Sequence, residues 1–466
     1  MITEELFNKD TTRLERLSIK EKMGFGFGDA ACNMIWGPIT MFLTYFYTDI
    51  YRLDPALIAS LLLFVRVFDA VADPFMGAVA DRTRSRWGRF RPYLLWGAVP
   101  FVISCMMMFY TPEASERFKI FYAFAAYFIL SGIYTIVNIP YCSLGGVITS
   151  NPEERVSCQQ YRFAMAGVAI LFCSLTLLPL VEFLGSGNRQ MGFFWAMTLF
   201  ALMGLAMFLT CFYTTRERVK ALQENEEGIF RSFISILKND QWVICAAGMF
   251  LDCVPSFIRG GAIIFFAKYV MQLNTTWITL FMSVGVAATI LGSMLTKYFT
   301  TRWCKVRVYI GIKLVLVFMS LGFYLIDPLN LTLMLVFYVV LNIIHQITTP
   351  ILWSFIGDVD DYGEWKLGKR MSGICASGNL FALKLSLAFC GAFIAITLSL
   401  TDYIPDNPAQ PAQALSGILF LVSLVPAIGY LASALLFRFY RLDRHTMREI
   451  QLALLAREKS VKRDER

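Results

Sequence analysis

The sequence predicts an all-α integral membrane protein with twelve transmembrane helices in two six-helix halves. Three observations carry this expectation. Of 466 residues, 57% are hydrophobic and 16% charged, against roughly 45–50% and about 25% in soluble domains. The apolar residues gather into twelve runs, each close to the ~20 residues that cross a bilayer core. The second half also repeats features of the first at an offset near half the chain length. A water-soluble chain of this size would lack the charge to cover its surface. Secreted enzymes, nucleic-acid binders and disordered scaffolds are therefore disfavoured on composition alone.

The runs lie at about 24–48, 56–80, 93–111, 120–147, 161–184, 191–214, 241–270, 276–298, 308–326, 330–356, 372–400 and 413–438. The polar segment 1–22 has no apolar stretch near its start, so no cleaved signal peptide is expected and the first run inserts as a helix. The N-terminal tail, the connections after even-numbered spans and the C-terminal tail hold about 33 of the Lys and Arg residues. The opposite face holds Arg52, Arg117, Lys119, Arg189 and Lys268. This asymmetry places both termini in the cytoplasm of a multi-pass inner-membrane protein. The connection from Asp81 to Arg91 carries five arginines in eleven residues. Between two spans it reads as a topological signal rather than a nucleic-acid or phosphate site.

The predicted organisation is a cytoplasmic tail over 1–22, a first bundle over 23–214, a central cytoplasmic loop over 215–240, a second bundle over 241–438 and a basic amphipathic tail over 439–466. Arg86-Trp-Gly-Arg-Phe-Arg-Pro-Tyr93 after the second span is echoed by Arg302-Trp-Cys-Lys-Val-Arg-Val-Tyr309 after the eighth. Gly77 and Gly292 precede these segments. Pro38 and Pro255 interrupt spans one and seven, and Pro140 and Pro350 interrupt spans four and ten. Together they indicate a duplicated six-helix unit with parallel halves, the arrangement of major-facilitator transporters. Each proline frees a backbone carbonyl and bends its helix.

The eleven cysteines are dispersed without CxxC spacing and read as packing residues rather than a disulfide frame or zinc site. With two histidines, His345 and His445, histidine-based metal chemistry is close to excluded.

Ionisable residues inside spans are costly unless paired or wetted. Asp69 and Asp73 are four apart on span two and share a helical face, with Arg66 a turn earlier. A buried ion-pair staple is one reading. The other is a cation site, because two neighbouring carboxylates cannot both stay ionised without a cation and so bind Na⁺ or share a proton. Thr135 on span four adds a hydroxyl. Asp29 follows Gly24, Gly26 and Gly28, where close helix packing is an equally good reading. Asp252 and Arg259 on span seven either pair with each other or line the cavity. Lys384 in span eleven needs a partner, and an acid of span two is a candidate. Lys313 is expected to snorkel from a span end. His345, Asn342 and Gln346 read as a satisfied interior polar cluster rather than a proton relay. Sugars are held by amides, carboxylates and arginines around their hydroxyls and by rings against their C–H faces. Asn33, Trp36, Tyr134, Asn138 and Arg162 offer that mixture, Trp36 being as readily explained by packing.

Several segments resemble the glycoside–pentoside–hexuronide:cation symporters: Phe46-Tyr-Thr-Asp49, Arg66-Val-Phe-Asp-Ala-Val-Ala-Asp-Pro74, Arg82-Thr-Arg-Ser-Arg-Trp-Gly-Arg-Phe-Arg-Pro92, Tyr134-Thr-Ile-Val-Asn-Ile-Pro-Tyr141 and Asp358-Val-Asp-Asp-Tyr-Gly-Glu-Trp-Lys366. The resemblance covers essentially the whole chain. It implies that Asp69, Asp73 and Thr135 form the cation site, that Tyr134 and Arg162 lie in the sugar pocket, and that Lys384 sits near the cation site. Asn33 and Asn138 stand where sugar-binding aspartates occur in the family's melibiose carriers. Cys142 and Thr349 replace tryptophans there, and Ala72 replaces an asparagine of the sodium site. The pocket is thus less acidic and less aromatic, which leaves pentosides and hexuronides open as substrates and puts melibiose in doubt. The missing oxygen at Ala72 favours H⁺ over Na⁺ as the coupling ion.

The expected function is secondary active symport of a glycoside, pentoside or hexuronide into the cell, with no cofactor beyond the coupling ion, no nucleic-acid partner and a monomer sufficing. Asp358, Asp360, Asp361 and Glu364 are expected to form a cytoplasmic gate with Arg89, Arg91 or Arg155, or else a solvated loop. Two rivals are a carrier of lysolipids or other amphiphiles and a membrane-embedded enzyme. The latter lacks any nucleophile–base or metal grouping in the sequence.

Overall fold

The computed structural model describes residues 16–53, 55–219, 234–404 and 407–464, which are helical with no strand. The helices are α1 Ile19–Tyr45, α2 Pro55–Arg82, α3 Arg91–Phe109, α4 Glu116–Val147, α5 Pro152–Gly185, α6 Arg189–Thr214, α7 Asp240–Phe265, α8 Thr275–Arg302, α9 Lys305–Leu321, α10 Leu331–Leu367, α11 Ser372–Leu400, α12 Ala412–Val422, α13 Leu424–Phe437 and α14 Arg444–Asp464. Among the described residues, ten spans are long and apolar enough to cross a membrane: α3 to α11, and α12 with α13 as one. The first two expected spans fold as α1 and α2. Asp29 and Asn33 in one, and Arg66, Asp69 and Asp73 in the other, lower their apolarity.

The chain forms two compact units. The first takes the chain through Ile236 together with Leu367–Ser377, and the second takes Leu237–Lys366 and Gly378–Arg466. In the first, α1 packs on α5 and α6, α3 packs on α4 and α6, and α2 packs on α4. In the second, α13 packs on α7 and α9, which repeats the packing of α6 on α1 and α3.

The repeat extends to a detail with no clear sequence signal. α1 and α7 each end in a five-residue π-helix, Phe46–Ile50 and Phe266–Val270. The Tyr51 N–H donates to Phe46 O at 2.8 Å and the Met271 N–H to Phe266 O at 2.9 Å. The residues that follow, Arg52 and Gln272, both turn the chain through the left-handed region, at φ 63° and 55°.

Apolar burial between helices gains little in lipid, so close approach and hydrogen bonds matter more. Gly28 is one such contact: a Cβ there would lie 2.2 Å from the Tyr141 ring. Gly77 is another, where a Cβ would lie 2.5 Å from Gly373 O. That proximity lets Asp81 accept the Gly373 and Ile374 N–H groups at 2.7 and 3.1 Å, capping the exposed donors of the α11 start.

Several boundaries differ from expectation. α1 starts within the expected 1–22 tail, because Ser18 caps it by accepting the Glu21 N–H at 3.2 Å. Of the expected 215–240 loop, 220–233 lie outside the described residues. The expected 439–466 tail folds as α14. Asp443 starts it by accepting the Thr446 N–H at 2.9 Å, a bond that holds its carboxyl below the usual range. The single expected span 413–438 breaks at Ser423, at φ −118° and ψ −71°. Pro426 is the physical reason: it has no N–H to give the Val422 carbonyl one turn earlier. The buried Arg259 side chain supplies the missing donor, its Nε 3.2 Å from Val422 O.

Candidate functional site

α2 and α4 pack in the same direction, so side chains four apart on one meet side chains four apart on the other. Ser131 Oγ donates to Asp69 Oδ1 at 2.5 Å, and Thr135 Oγ1 donates to Asp73 Oδ1 at 3.0 Å. Both carboxylates are buried, at 5% and 1% exposure. Thr135 was expected here. Ser131 was not, although its spacing of four from Thr135 matches that of Asp69 and Asp73. The ion pair expected of Arg66 rests on a side chain outside those described. Lys384 lies on α11 in the second unit.

Around this acid pair the first unit gathers groups that suit a hydroxylated ligand. The Tyr134 ring stacks on Trp36, with centroids 4.5 Å apart and planes 8° from parallel. Asn33 Nδ2 donates to Asp29 O at 2.8 Å, and Asn138 Oδ1 accepts from the Cys142 thiol at 3.7 Å. Arg162 is buried and its Nε donates to Asp29 Oδ2 at 3.0 Å, with Gln159 Oε1 3.3 Å from Nη1. The Asp29–Arg162 pair spans 133 positions, and sequence reading named neither residue as the other's partner.

The second unit holds a different polar core. Lys313 forms an ion pair with Asp252 and donates to Thr348 Oγ1 at 2.8 Å. It is 0% exposed, so the expectation that it snorkels is wrong. The expected 308–326 span put it near an end, but α9 starts at Lys305 and encloses it. The expected alternative of an Asp252–Arg259 pair also fails. Seven residues separate them by about 10 Å along the helix axis, while α9 brings Lys313 alongside. Arg259 bonds Ser320 Oγ and Val422 O. His345 shares a 2.8 Å hydrogen bond with Ser256 Oγ, Asn342 donates to Tyr338 O at 2.8 Å, and Gln346 accepts from Thr349 at 3.4 Å.

Asp358, Asp360, Asp361 and Glu364 are all buried within α10, which runs eleven residues past the expected span end at 356. The solvated-loop alternative is thereby corrected. Asp358 forms an ion pair with Lys305, a partner the sequence did not suggest. Arg91 donates to Phe212 O at 2.6 Å, and the backbone N–H groups of Arg89 and Arg91 reach Glu217. Arg155 is fully buried and donates to Thr149 O at 3.0 Å.

A many-span helical protein of two repeated units, with an acid pair held by hydroxyls inside the membrane, defines a transporter of the major facilitator type and not an enzyme. Residues 24–444 match the MFS/sugar transport protein family. The chain is 38% identical over 437 residues to the inner membrane symporter YicJ of Escherichia coli (strain K12), a match covering 94% of this chain and 95% of that one. It is 30% identical over 428 residues to the isoprimeverose transporter of Lactiplantibacillus pentosus, covering 91% and 89%. The major facilitator transporter FucP, solved by crystallography, superposes with a TM-score of 0.66 over 91% of this chain and 98% of that one. At 12% identity that likeness is one of fold. The chain belongs to the glycoside–pentoside–hexuronide:cation symporter family. It is a multi-pass membrane protein and a transporter.

Proposed function

We propose that the chain is an H⁺-coupled importer of a glycoside, pentoside or hexuronide, working as a monomer in the inner membrane with both termini in the cytoplasm. The observation that carries this is the double rung of hydroxyl–carboxylate hydrogen bonds, Ser131 to Asp69 and Thr135 to Asp73, buried between α2 and α4. In this reading the coupling ion loads at Asp69 and Asp73. It neutralises their repulsion and favours sugar binding beside them, so each ligand raises the other's affinity. A proton needs one carboxylate oxygen, whereas Na⁺ needs several ligands and Ala72 offers none, which supports H⁺.

Asn33, Tyr134, Asn138, Arg162 and Lys384 are assigned to sugar recognition. The flat Trp36–Tyr134 stack supports a pyranose C–H face as its partner. Amides in place of acids leave room for an anionic hexuronide as well as a pentoside. Lys384 and Arg66 are also assigned to balancing the charge of the acid pair. Arg89, Arg91, Asp358, Asp361 and Glu364 are assigned to cytoplasmic gating.

The test is uptake of radiolabelled xylosides, galactosides and glucuronides into proteoliposomes under an imposed pH gradient or an imposed Na⁺ gradient. Accumulation driven by the pH gradient supports the reading. Uptake that follows Na⁺ and ignores collapse of the pH gradient overturns the H⁺ assignment.

A further inference from the structure

The turn between α5 and α6 brings an acid and a base to one groove, and the transport reading uses neither. Both helices are long and apolar enough to cross a membrane, so this turn lies at a bilayer–water boundary. Ser186 and Gly187 make the turn in the left-handed region, at φ 44° and 96°. Gly192 then lets α6 lie directly against α5: a Cβ there would sit 2.2 Å from Val181 O. Glu182 follows Val181, and Arg189 precedes Gly192 by about one turn. The close approach therefore brings the carboxylate and the guanidinium into one lining.

Both line a groove of about 370 Å³ between α1, α5 and α6 in the first unit. The buried Val181 and Phe193 form its floor, and Phe42, Tyr45 and Leu178 its walls. Arg189 is exposed and donates to Tyr45 Oη at 3.2 Å, a neutral acceptor that leaves its charge in place. Arg189 also lines a second cavity, of about 980 Å³, with Glu116, Asn188 and Gln190. The guanidinium thus stands on the border between a polar cavity and an apolar groove.

The outer face of α5 shows what meets the groove. Leu175, Leu178 and Glu182 follow at spacings of three and four and share one helix face. Leu175 and the neighbouring Phe183 are 62% and 79% exposed. In a membrane-spanning helix such side chains meet acyl chains rather than water. The apolar stripe ends in the exposed Glu182, three residues before the end of α5 at Gly185, or about 4.5 Å along its axis. A carboxylate there sits at the depth of lipid headgroups. A lipid phosphate repels it unless the same headgroup also carries a cation.

We propose that this groove binds a phospholipid whose headgroup carries a primary ammonium beside its phosphate, phosphatidylethanolamine. Arg189 donates to the phosphate, Glu182 accepts from the ammonium, and one acyl chain runs along Leu178 and Leu175. Selectivity comes from the pairing. Arg189 alone would take any phosphate. Glu182 disfavours phosphatidylglycerol, which brings a phosphate and no cation, and phosphatidylcholine, whose quaternary nitrogen has no N–H to donate. The site is separate from the Asp69–Asp73 pair and does not depend on the coupling ion or the sugar.

The test is native mass spectrometry of the full-length protein in detergent, titrated with phosphatidylethanolamine, phosphatidylcholine and phosphatidylglycerol of identical chains. The first phosphatidylethanolamine should bind several-fold more tightly than either of the others. Arg189→Gln should weaken it roughly tenfold, as for a lost hydrogen bond to a charged group. Glu182→Gln should bring phosphatidylethanolamine down to the level of phosphatidylcholine and raise phosphatidylglycerol. Leu178→Trp keeps both charges but fills the groove, and should abolish the preference for phosphatidylethanolamine. Equal native affinities for phosphatidylethanolamine and phosphatidylcholine, or a native preference for phosphatidylglycerol, overturn the proposal. So does a phosphatidylethanolamine preference that survives Glu182→Gln or Leu178→Trp.

Discussion

Thr135 donates its hydroxyl proton to Asp73 Oδ1 at 3.0 Å inside the membrane, one helical turn beyond the equivalent bond from Ser131 to Asp69. The two rungs give each carboxylate its own neutral donor. Each hydroxyl satisfies one oxygen of a buried carboxylate without adding charge.

Asp73→Asn should abolish gradient-driven accumulation while leaving sugar exchange or binding measurable in counterflow. Full accumulation in that variant would remove Asp73 from the cation site. Thr135→Ala should weaken cation dependence roughly tenfold, as expected for a hydrogen bond to a charged group, and Thr135→Ser should restore it. Ser131→Ala tests the unforeseen rung in the same assay. If it leaves the cation dependence unmoved, Asp69 does not rely on that donor.

The Asp252–Lys313 pair gives a stability prediction. Both groups are buried, at 4% and 0% exposure. Removing one partner strands the other, at a cost of about 3–5 kcal/mol. Lys313→Met alone should therefore lower Tm sharply. Lys313→Met with Asp252→Leu should recover most of the loss, because a buried pair replaced by apolar groups is often neutral. A double variant no more stable than the single one would mean that the pair has a role beyond mutual neutralisation.

Much of the fold was legible because it follows from periodicity and length. The spans, their duplication and the acid pair at Asp69 and Asp73 all stand out against apolar sequence. What was not legible depends on partners far away in the chain. Arg162 finds Asp29 on another helix, and Asp252 finds Lys313 across 61 positions. Local spacing suggested Arg259 for Asp252 only because both lie on one face of α7. The extension of α10 through Glu364 was missed because its acidic sequence looks solvated, yet those side chains are buried. The Glu217 contacts were invisible because a carboxylate in a mixed, charged connection carries no mark of the backbone donors it will meet.

Asp81 offers a sharper test of packing in the first unit. Its carboxylate is 9% exposed and accepts two N–H groups at the start of α11. Asp81→Ala should cost about 1–2 kcal/mol, the range for a lost helix cap, and Asp81→Asn should recover only part of it, because its amide oxygen can accept one of the two N–H groups while its NH2 faces the other. Equal losses in thermal unfolding for the two variants would point to charge rather than capping.

The link between Arg259 and Pro426 makes the most specific prediction. Proline at 426 leaves the Val422 carbonyl without its helical donor, and Arg259 Nε fills that vacancy at 3.2 Å while a second guanidinium nitrogen bonds Ser320. Pro426→Ala returns an N–H to position 426 and lets the α12–α13 break close across Ser423. Arg259 would then lose its acceptor to the backbone. Arg259→Met should accordingly be costly in the native sequence and less so beside Pro426→Ala. The coupling in a thermal-unfolding double-mutant cycle should be on the order of 1 kcal/mol, within the range for residues that share a hydrogen-bond network. Strictly additive losses would show that the guanidinium is held by its other contacts and that the carbonyl freed by proline is satisfied without it.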